Sequence, residues 1–414
     1  MLSAETGAPV HGRKTRKLVA TSTFPIWPPR FGGPSRIFHL WRALASEFDI
    51  VFVCLADPSF SYSDSEIAPG MREIRVPKSR AHMAKESEIG ALFGTPVSDI
   101  VAPELYRLTP AFSDALQRHA QDATVFVACH PYLYPAIAAV ANGRPLWYDA
   151  HNIETYLKEQ VLRECPDKAA WIAKIRNVEQ ACCDAADWVV TCSDADGAAL
   201  VREFRVPSER VIFAPNGTDS RKIPFTPRAE RAGYKRRLGA EGVPLVLFMG
   251  SGHPPNIDAV RQLFAIAPAL PDIVFLVIGN VAYAFDPVSA PENVWLLGES
   301  SETARQILFE AADLAVNPLR SGSGTNLKML DYFAAGLPVV TTSIGARGLP
   351  LEDGQHVLVR SLSEFAEAIA MLVNQPEVAD RLAVSTRQLV EHDFDWESIG
   401  AKLRARLLPS AADR

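Results

Sequence analysis

The chain has 414 residues, of which 48% are hydrophobic and 22% are charged, and its formal net charge is −6. This length is too great for one ordinary core and predicts two or three domains. The composition is that of a soluble globular protein, and the net negative charge excludes a broad basic surface for nucleic acid. No run of about 18 apolar residues is present, so no membrane-spanning helix is expected.

The first residues, 1–16, are expected to form a mobile basic tail, because they carry His11, Arg13, Lys14 and Arg16 among small residues. A secretory signal peptide would need an apolar run in this place, and there is none. The tail leaves open a peripheral contact with an anionic membrane surface, although a single cluster of charges is not an anchor.

The six cysteines contain no C-x-x-C pair and are not accompanied by a histidine cluster. Cys54, Cys129 and Cys192 lie at or near the ends of apolar runs, where a thiol behaves as a small core residue. A reduced, cytoplasmic compartment is therefore expected. The alternative is a zinc site built from the three other cysteines, Cys165, Cys182 and Cys183.

Short apolar runs alternate with helix-length amphipathic segments along the whole chain. Because these runs are mostly apolar at every position, they indicate strands that are covered on both faces, as in a parallel, doubly wound sheet. The runs are 18–24, 50–56, 123–129, 146–150, 187–193 and 210–215 in the first half, and 244–250, 273–279, 293–298, 313–318, 337–342 and 356–359 in the second.

The sequence thus predicts an α/β protein of two doubly wound, Rossmann-like domains that face each other across a cleft. The join falls at 215–228, which is rich in proline, glycine and charge. The predicted domains are 17–215 and 216–390, and a C-terminal helix in 391–414 is expected to return to the N-terminal domain. Ligands of such sheets bind outside the carboxyl ends of the strands.

The strongest local signal is the segment 317–340, in which a strand ends near Pro318 and a Ser/Gly turn follows. A helix is expected to begin near Thr325. Gly322 and Gly324 allow a ligand to approach the backbone closely. The free N–H groups at the start of the helix are expected to bind phosphate.

Two polar residues of this helix, Lys328 and Asp331, lie three positions apart, away from its expected core face. Lys328 is placed to reach a phosphate, and Asp331 is able to accept two hydroxyl protons from a ribose. From the residues alone, an ordinary surface Lys–Asp pair explains the pattern equally well.

The segment resembles the sugar-nucleotide region of retaining glycosyltransferases of family 4, whose two-domain fold is called GT-B. In that family, two acidic residues eight positions apart precede an Ala-Ala-Gly-x-Pro-Val-Val element. Here Asp331 is the second acidic position and 334–340 is the element, but Ser323 stands at the first position. The version at 322–328, Gly-Ser-Gly-Thr-x-Leu-Lys, resembles a subgroup that makes bacterial polysaccharides. In this subgroup the resemblance implies that Lys328 and backbone amides take over part of the donor contact.

Further segments share the resemblance. The stretch 250–259 resembles the subgroup's Gly-Ser-x-x-x-x-Pro-Asn-x-Asp-Ala turn, with one residue fewer between Ser251 and Pro255. Asn256 and Asp258 in it are natural helix caps. Gly32 and Gly33 follow the first strand, where the family has a glycine-rich loop against the donor phosphates or the acceptor. The Asn-Gly pair at 216–217 is interpreted as a structural turn.

Histidines at two strand ends complete the expected site. The resemblance places His130 near the reacting sugar, as a contact of the donor sugar or of the leaving group. Asp149, His151 and Asn152 belong to an Asp-x-His-Asn-x-Glu pattern that also resembles the subgroup, and they are expected near the acceptor.

The resemblance implies transfer of a sugar from a nucleoside-diphosphate donor to a glycan or lipid-linked acceptor, with retention of configuration, in bacterial polysaccharide or glycoconjugate synthesis. The backbone amides at 322–325, Lys328 and Arg320 are expected to stabilise the charge on the leaving diphosphate. No obligatory metal and no other cofactor is expected. The expected donor contacts are Gly32, Gly33, Gly250, Ser251, Gly322, Ser323, Gly324, Thr325, Asn326 and Asp331.

Two alternatives remain open at this point. One is an inactive sugar-nucleotide-binding or scaffold protein, which Ser323 favours. The other is a sugar-nucleotide 2-epimerase with the same GT-B fold. A dinucleotide oxidoreductase is disfavoured, because neither half carries G-x-G-x-x-G after its first strand. The expected location is the cytoplasm, with the inner face of the cell membrane as an option for a lipid acceptor.

Overall fold

The computed structural model describes residues 16–94, 96–162, 167–322 and 325–408. The chain divides into two compact units, which we call unit 1 (Met1–Pro215 with Gly400–Arg414) and unit 2 (Asn216–Ile399). Apart from Arg16, the expected tail lies outside the described residues, as does Cys165. Within the described ranges, no helix is long and apolar enough to cross a membrane.

Unit 1 is built on an eight-stranded sheet whose central strands are buried at nearly every position, as the apolar runs predict. Its strands are β1 (Lys17–Ser22), β2 (Asp49–Ala56), β3 (Ser63–Ala68), β4 (Met71–Pro77), β5 (Val125–Cys129), β6 (Leu146–Ala150), β7 (Trp188–Thr191) and β8 (Val211–Phe213). The order is β3-β4-β2-β1-β5-β6-β7-β8. The order reverses between β1 and β5, which is therefore the switch point of unit 1.

The expectation of a purely parallel sheet is wrong at one edge. Strand β3 pairs antiparallel with β4, and neither strand was expected from the sequence. The sequence pattern of these two strands is weak. Strand β3 is mostly polar and exposed, and β4 alternates polar and apolar residues instead of forming a continuous apolar run.

The helices of unit 1 follow the strands and pack on the sheet. They are α1 (Gly32–Arg42), α2 (Arg80–Phe93), α3 (Ser98–Leu105), α4 (Pro110–Ala120), α5 (Tyr134–Ala141), α6 (Glu154–Val161), α7 (Lys168–Ala185) and α8 (Asp194–Glu203).

Unit 2 has a six-stranded sheet in which every described pairing is parallel. Its strands are β9 (Leu245–Met249), β10 (Val274–Ile278), β11 (Val294–Gly298), β12 (Leu314–Asn317), β13 (Val339–Thr341) and β14 (Leu358–Val359), in the order β11-β10-β9-β12-β13-β14. Its helices are α9 (Arg228–Arg237), α10 (Pro254–Ile266), α11 (Glu302–Ala311), α12 (Leu327–Ala334), α13 (Ser343–Ala346), α14 (Phe365–Asn374) and α15 (Pro376–Leu389).

Strand β9 shows why both faces of this sheet are covered. Val246 and Phe248 belong to one buried cluster, with α10, α14 and part of α15. Leu245 and Leu247 belong to the opposite cluster, with α11 and α12. Because neighbouring side chains of a strand point to opposite faces, a continuous apolar run fills two cores at once. The doubly wound fold expected from the sequence is confirmed.

The two ends of unit 2 run side by side. Thr218 forms a parallel bridge with Asp395, and its N–H group donates to the Phe394 carbonyl at 2.8 Å. A Cβ atom on Gly217 would lie only 2.6 Å from that same carbonyl oxygen, so only glycine fits. The last helix, α16 (Trp396–Leu407), begins here and continues into unit 1, where Gly400 packs against Ala43.

Candidate active site

The switch point of unit 2 lies between β9 and β12, where the strand order reverses. β9 ends at Met249, whose N–H group donates to the hydroxyl oxygen of Tyr332 on α12 at 2.6 Å. β12 leads into the turn before α12, which begins at Leu327, two residues later than expected, because Asn326 occupies the N-cap position. The start of α12 is thereby fixed beside the end of β9.

The turn after β9 brings backbone groups unusually close together. The Gly250 N–H group donates to the Ile278 carbonyl at 3.0 Å. Gly279 has a φ of +94°, and a Cβ atom there would lie 2.2 Å from the Gly250 oxygen. Ser251 is exposed, at the start of an open turn. The turn that was expected to contact the donor therefore exists, and glycine is a steric requirement for it.

The capping role expected for Asn256 and Asp258 is wrong. Helix α10 begins at Pro254 with His253 in the N-cap position, so both residues lie inside the helix. Instead, the Asn256 side chain donates to the backbone oxygen of Ser251 at 3.1 Å and to its hydroxyl at 3.2 Å.

Lys328 occupies a sheltered position between these elements. Its ammonium donates to Asn256 Oδ1 at 2.7 Å and lies 4.4 Å from the centre of the Phe248 ring. Burial lowers the pKa of this lysine to about 7. No carboxylate forms an ion pair with it within the described ranges. A cation that is sheltered from water and lacks a counter-ion is well suited to bind an anion.

Asp331 lies one turn further along α12. Its Oδ1 accepts a hydrogen bond of 2.7 Å from the Thr218 hydroxyl, while burial raises the pKa of the carboxyl group. This contact joins the helix to the segment that enters unit 2. No second hydrogen bond to this carboxylate is found in the described part of unit 2.

The turn before α12 is described in part, since the expected donor contacts Ser323 and Gly324 lie outside the described residues. Gly322 has a φ of +136° and is exposed, as is Arg320. The side chain of Asn326 donates to the Gly345 carbonyl at 2.9 Å.

Thr325 packs against a neighbouring turn, where a Cβ atom on Gly348 would lie 2.6 Å from its hydroxyl oxygen. Its side chain, like that of Asn326, thus contacts backbone that is not part of the expected phosphate site.

In unit 1, His130 stands directly after β5 in a strained conformation. Its φ of +67° and ψ of 158° fall in a region populated almost only by glycine. Its Nδ1 is buried and has no hydrogen-bond partner among the described residues. Burial, together with His151 nearby, lowers the pKa of His130 to about 4, so the ring is neutral near pH 7. Strain and an unsatisfied ring nitrogen are typical of a functional position.

The ring of His151 lies next to that of His130, with 4.0 Å between the ring centres. The Nε2 atom of His151 lies 3.2 Å from Asp149 Oδ2, which also accepts from the Trp41 indole at 3.1 Å. Asp149 Oδ1 is bound by Arg36, at 3.0 Å from Nε and 2.9 Å from Nη2. The structure therefore brings His130 and His151 together above a buried ionic network.

The expected direct contact of Asp149 with an acceptor is contradicted. Asp149 is fully buried and both of its oxygens are engaged, so no surface remains for a ligand. Although burial opposes ionisation, Arg36 and His151 hold the pKa of this carboxyl group well below its usual range. Asp149 is a positioning residue for His151.

The other residues of unit 1 that were expected in the site, Gly32, Gly33 and Asn152, lie near these two histidines. Gly32 and Gly33 open α1 after β1, and a Cβ atom on Gly33 would lie 3.2 Å from the Phe24 ring. That ring in turn meets His130 edge-on, with 5.7 Å between the ring centres. Asn152 is half-buried and donates to Glu154 at 3.4 Å.

The chain contains two Asp-x-Asp triplets, at 194–196 and 393–395, a pattern that binds metal in other proteins. Asp196 accepts from the Ser193 hydroxyl at 2.7 Å at the start of α8, and Asp395 accepts from the Ser220 hydroxyl at 2.6 Å. One aspartate of each triplet thus serves local structure. Among the described residues, no group of three or more His, Cys, Asp or Glu side chains is placed to hold a metal ion.

Two models of glycosyltransferase domains match most of the chain. The model of the glycosyl transferase 4-like domain matches residues 31–217, and that of the glycosyl transferases group 1 matches residues 243–375. The chain belongs to these glycosyltransferases. The enzyme class expected from the sequence is confirmed, and the scaffold and epimerase alternatives are not favoured.

Similar proteins agree with this assignment, and solved structures agree with the fold. The glycogen synthase of Mycobacterium tuberculosis is 24% identical to this glycosyltransferase over 423 residues, 93% of this chain and 92% of that protein. Anabaena HepE, solved in complex with UDP and glucose, has a TM-score of 0.66 and 14% identity over 95% of this chain and 99% of that chain. Sucrose-phosphate synthase from Thermosynechococcus elongatus has a TM-score of 0.68 and 19% identity over 94% and 97% of the two chains. The expected GT-B fold is confirmed.

Proposed function

We propose that this glycosyltransferase transfers a sugar from a nucleoside-diphosphate donor to a glycan or lipid-linked acceptor, with retention of configuration. The observation that carries the proposal is Lys328, a sheltered ammonium without an ion pair among the described residues, at the switch point of a parallel sheet. Such switch points are where doubly wound sheets bind nucleotides. A diphosphate supplies the counter-ion that Lys328 lacks.

Each part of the donor has a candidate partner in unit 2. The diphosphate would contact Lys328 and the amides of the turns that begin at Gly250 and Gly322, with Arg320 as a second cation. Asp331 would accept hydrogen bonds from the ribose, since its carboxylate is engaged on one oxygen by Thr218. HepE was solved with UDP, and this supports UDP as the first nucleotide to test.

In unit 1 we propose that His130 contacts the donor sugar and that His151 contacts the acceptor. His130 offers an unpaired, neutral ring nitrogen to a sugar hydroxyl. His151, held by Asp149, is placed beside it for the acceptor, with Asn152 and the loop at Gly32 and Gly33 nearby.

During transfer, the bond between the anomeric carbon and the phosphate oxygen breaks, and a bond to the acceptor oxygen forms on the same face of the sugar. The acceptor's proton passes to the departing phosphate. Lys328 and the amides stabilise the growing negative charge on the diphosphate, which is where electrostatic catalysis is most effective. We propose that no divalent metal is obligatory, so that transfer persists in the presence of EDTA.

The first experiment is a thermal-shift screen of the full chain with UDP, GDP, ADP and CMP and their common sugar conjugates. Stabilisation by one nucleoside diphosphate identifies the base and leaves a short series of sugars to test for transfer. If the folded protein responds to none of them, the donor site is absent and the proposal is overturned. The product's anomeric configuration, determined by NMR, tests retention separately.

A further inference from the structure

Most buried cations in the described part of the chain have a partner that satisfies them inside the protein. Arg36 is paired with Asp149 at 2.9 Å and Lys235 with Asp313 at 2.5 Å. The guanidinium of Arg231 donates to four backbone oxygens. Lys328 differs, since its one hydrogen-bond partner within the described residues is the neutral amide of Asn256.

The orientation of that amide is fixed on its other side. Its nitrogen donates to both the backbone and the hydroxyl oxygen of Ser251, so its oxygen must face Lys328. A Cβ atom on Gly250 would lie 3.1 Å from the Asn256 side chain, which shows how closely the turn packs on it. Asn256 therefore holds the ammonium in one place.

The choice of an amide has an electrostatic consequence. Aspartate has almost the same shape as asparagine, but in this position it would form a contact ion pair and cancel the charge of Lys328. An ammonium has three N–H donors, and Asn256 takes one of them. Two donors of the protonated ammonium, together with its positive charge, remain for a ligand.

We infer that Asn256 is a positioning residue that orients Lys328 while leaving its charge available for the donor's diphosphate. The inference rests on the proposed function, because it takes the anion to be the nucleotide's diphosphate. It adds that the charge of residue 256, as well as its shape, determines affinity for the anion.

The test measures the affinity of the full chain for inorganic pyrophosphate and for UDP by calorimetry, in Asn256→Asp and Asn256→Ala. Asn256→Asp should weaken pyrophosphate binding by about tenfold or more, because it neutralises Lys328. Asn256→Ala loosens the ammonium but keeps its charge, so its loss should be smaller. Because Asn256→Asp also loses the two hydrogen bonds that the amide nitrogen donates to Ser251, the affinities are interpreted together with the titration of Lys328 described next.

A spectroscopic measurement separates charge from packing. The titration of Lys328, followed by the 13Cε signal of labelled lysine, should move to higher pH in Asn256→Asp and stay low in Asn256→Ala. Among the described residues, the groups that face the ammonium are the Phe248 ring and the Asn256 amide. The nearest carboxylate along its own helix is that of Asp331, three positions on.

The outcomes distinguish the inference from the proposed function. If Asn256→Asp binds pyrophosphate as well as the unmodified chain does, while Lys328→Ala does not bind it, the role of Asn256 is overturned and the donor site stands. If the unmodified chain binds neither pyrophosphate nor any nucleoside diphosphate, both proposals are overturned. Circular dichroism of each variant confirms that it is folded.

Discussion

Two charge clusters, a fully buried one in unit 1 and a half-buried one in unit 2, are built in opposite ways. In unit 1, Asp149 is surrounded by donors from Arg36, Trp41 and His151, and its charge is balanced inside the protein. In unit 2, Lys328 is sheltered and held by an amide, and no described residue balances its charge. The charge of Asp149 therefore stabilises the protein itself, whereas the charge of Lys328 is available to a ligand.

The largest effect is expected from unbalancing the first cluster. Asp149→Asn leaves Arg36 buried without a counter-ion, so the free energy of unfolding should fall by about 3–5 kcal/mol. Denaturant unfolding monitored by circular dichroism measures this. Pyrophosphate binding by the molecules that remain folded should be unchanged, because the anion site is formed by unit 2.

The control for this variant is Asp122→Asn, which removes an ion pair of 2.6 Å with Lys17 from an exposed carboxylate. Exposed pairs contribute little, so its stability should stay close to that of the unmodified chain. A loss in Asp149→Asn no larger than in this control would contradict the idea that the first cluster is balanced internally.

Removing the charge of the second cluster should reduce activity more than stability. Lys328→Ala should reduce sugar transfer at least about tenfold, because the charge that stabilises the leaving diphosphate is lost. Its stability should not fall comparably, since no carboxylate is left unpaired. Lys222→Ala serves as the control, because Lys222 is an exposed lysine of the same unit paired with Asp219. Unchanged turnover in Lys328→Ala would remove this lysine from the mechanism.

The affinity for pyrophosphate should also depend on pH, because it depends on the charge of Lys328. Because burial lowers the pKa of Lys328 to about 7, the free protein loses this proton as the pH rises from 6 to 9. Pyrophosphate binds the protonated form, so affinity should fall with rising pH, by up to about tenfold per pH unit above the pKa. The same titration of Lys328→Ala gives the baseline for the ligand's own ionisation. Parallel curves for the two proteins would show that Lys328 does not titrate in this range.

The smallest effect concerns the backbone at His130. Since its φ of +67° suits glycine, His130→Gly should be more stable than His130→Ala, by about 1–2 kcal/mol. Both variants should lose transfer activity. At the neighbouring Ala128, in a regular strand, glycine should instead be the less stable residue. If glycine were less stable than alanine at residue 130 as well as at residue 128, the backbone at His130 would not be strained.

The fold could be predicted from the sequence to the extent that strands are continuously apolar. The twelve runs that are mostly apolar all contain a strand, because a parallel strand buried on both faces leaves that pattern. The edge pair β3 and β4 was missed, because an exposed edge strand needs no such pattern.

The candidate site could be predicted only where a motif lies within one stretch of chain. Lys328 and Asp331 were found from their own segment. Their partners were not, since Asn256 lies 72 positions from Lys328 and Thr218 lies 113 positions from Asp331.

Arg36 and Asp149 are likewise 113 positions apart. The order of strands in the sheet, not any local pattern, makes these residues neighbours, and a single sequence does not reveal that order.

The paired ends of unit 2 have a practical meaning. Because the bridge between Thr218 and Asp395 brings the beginning and the end of this unit together, a polypeptide from Asn216 to Ile399 would start and finish close to one place. A chain with adjacent ends can be expressed by itself, or closed by a short peptide and reopened at a surface loop. Permuted forms of unit 2 would allow nucleotide recognition to be followed by NMR in a protein of less than half the size.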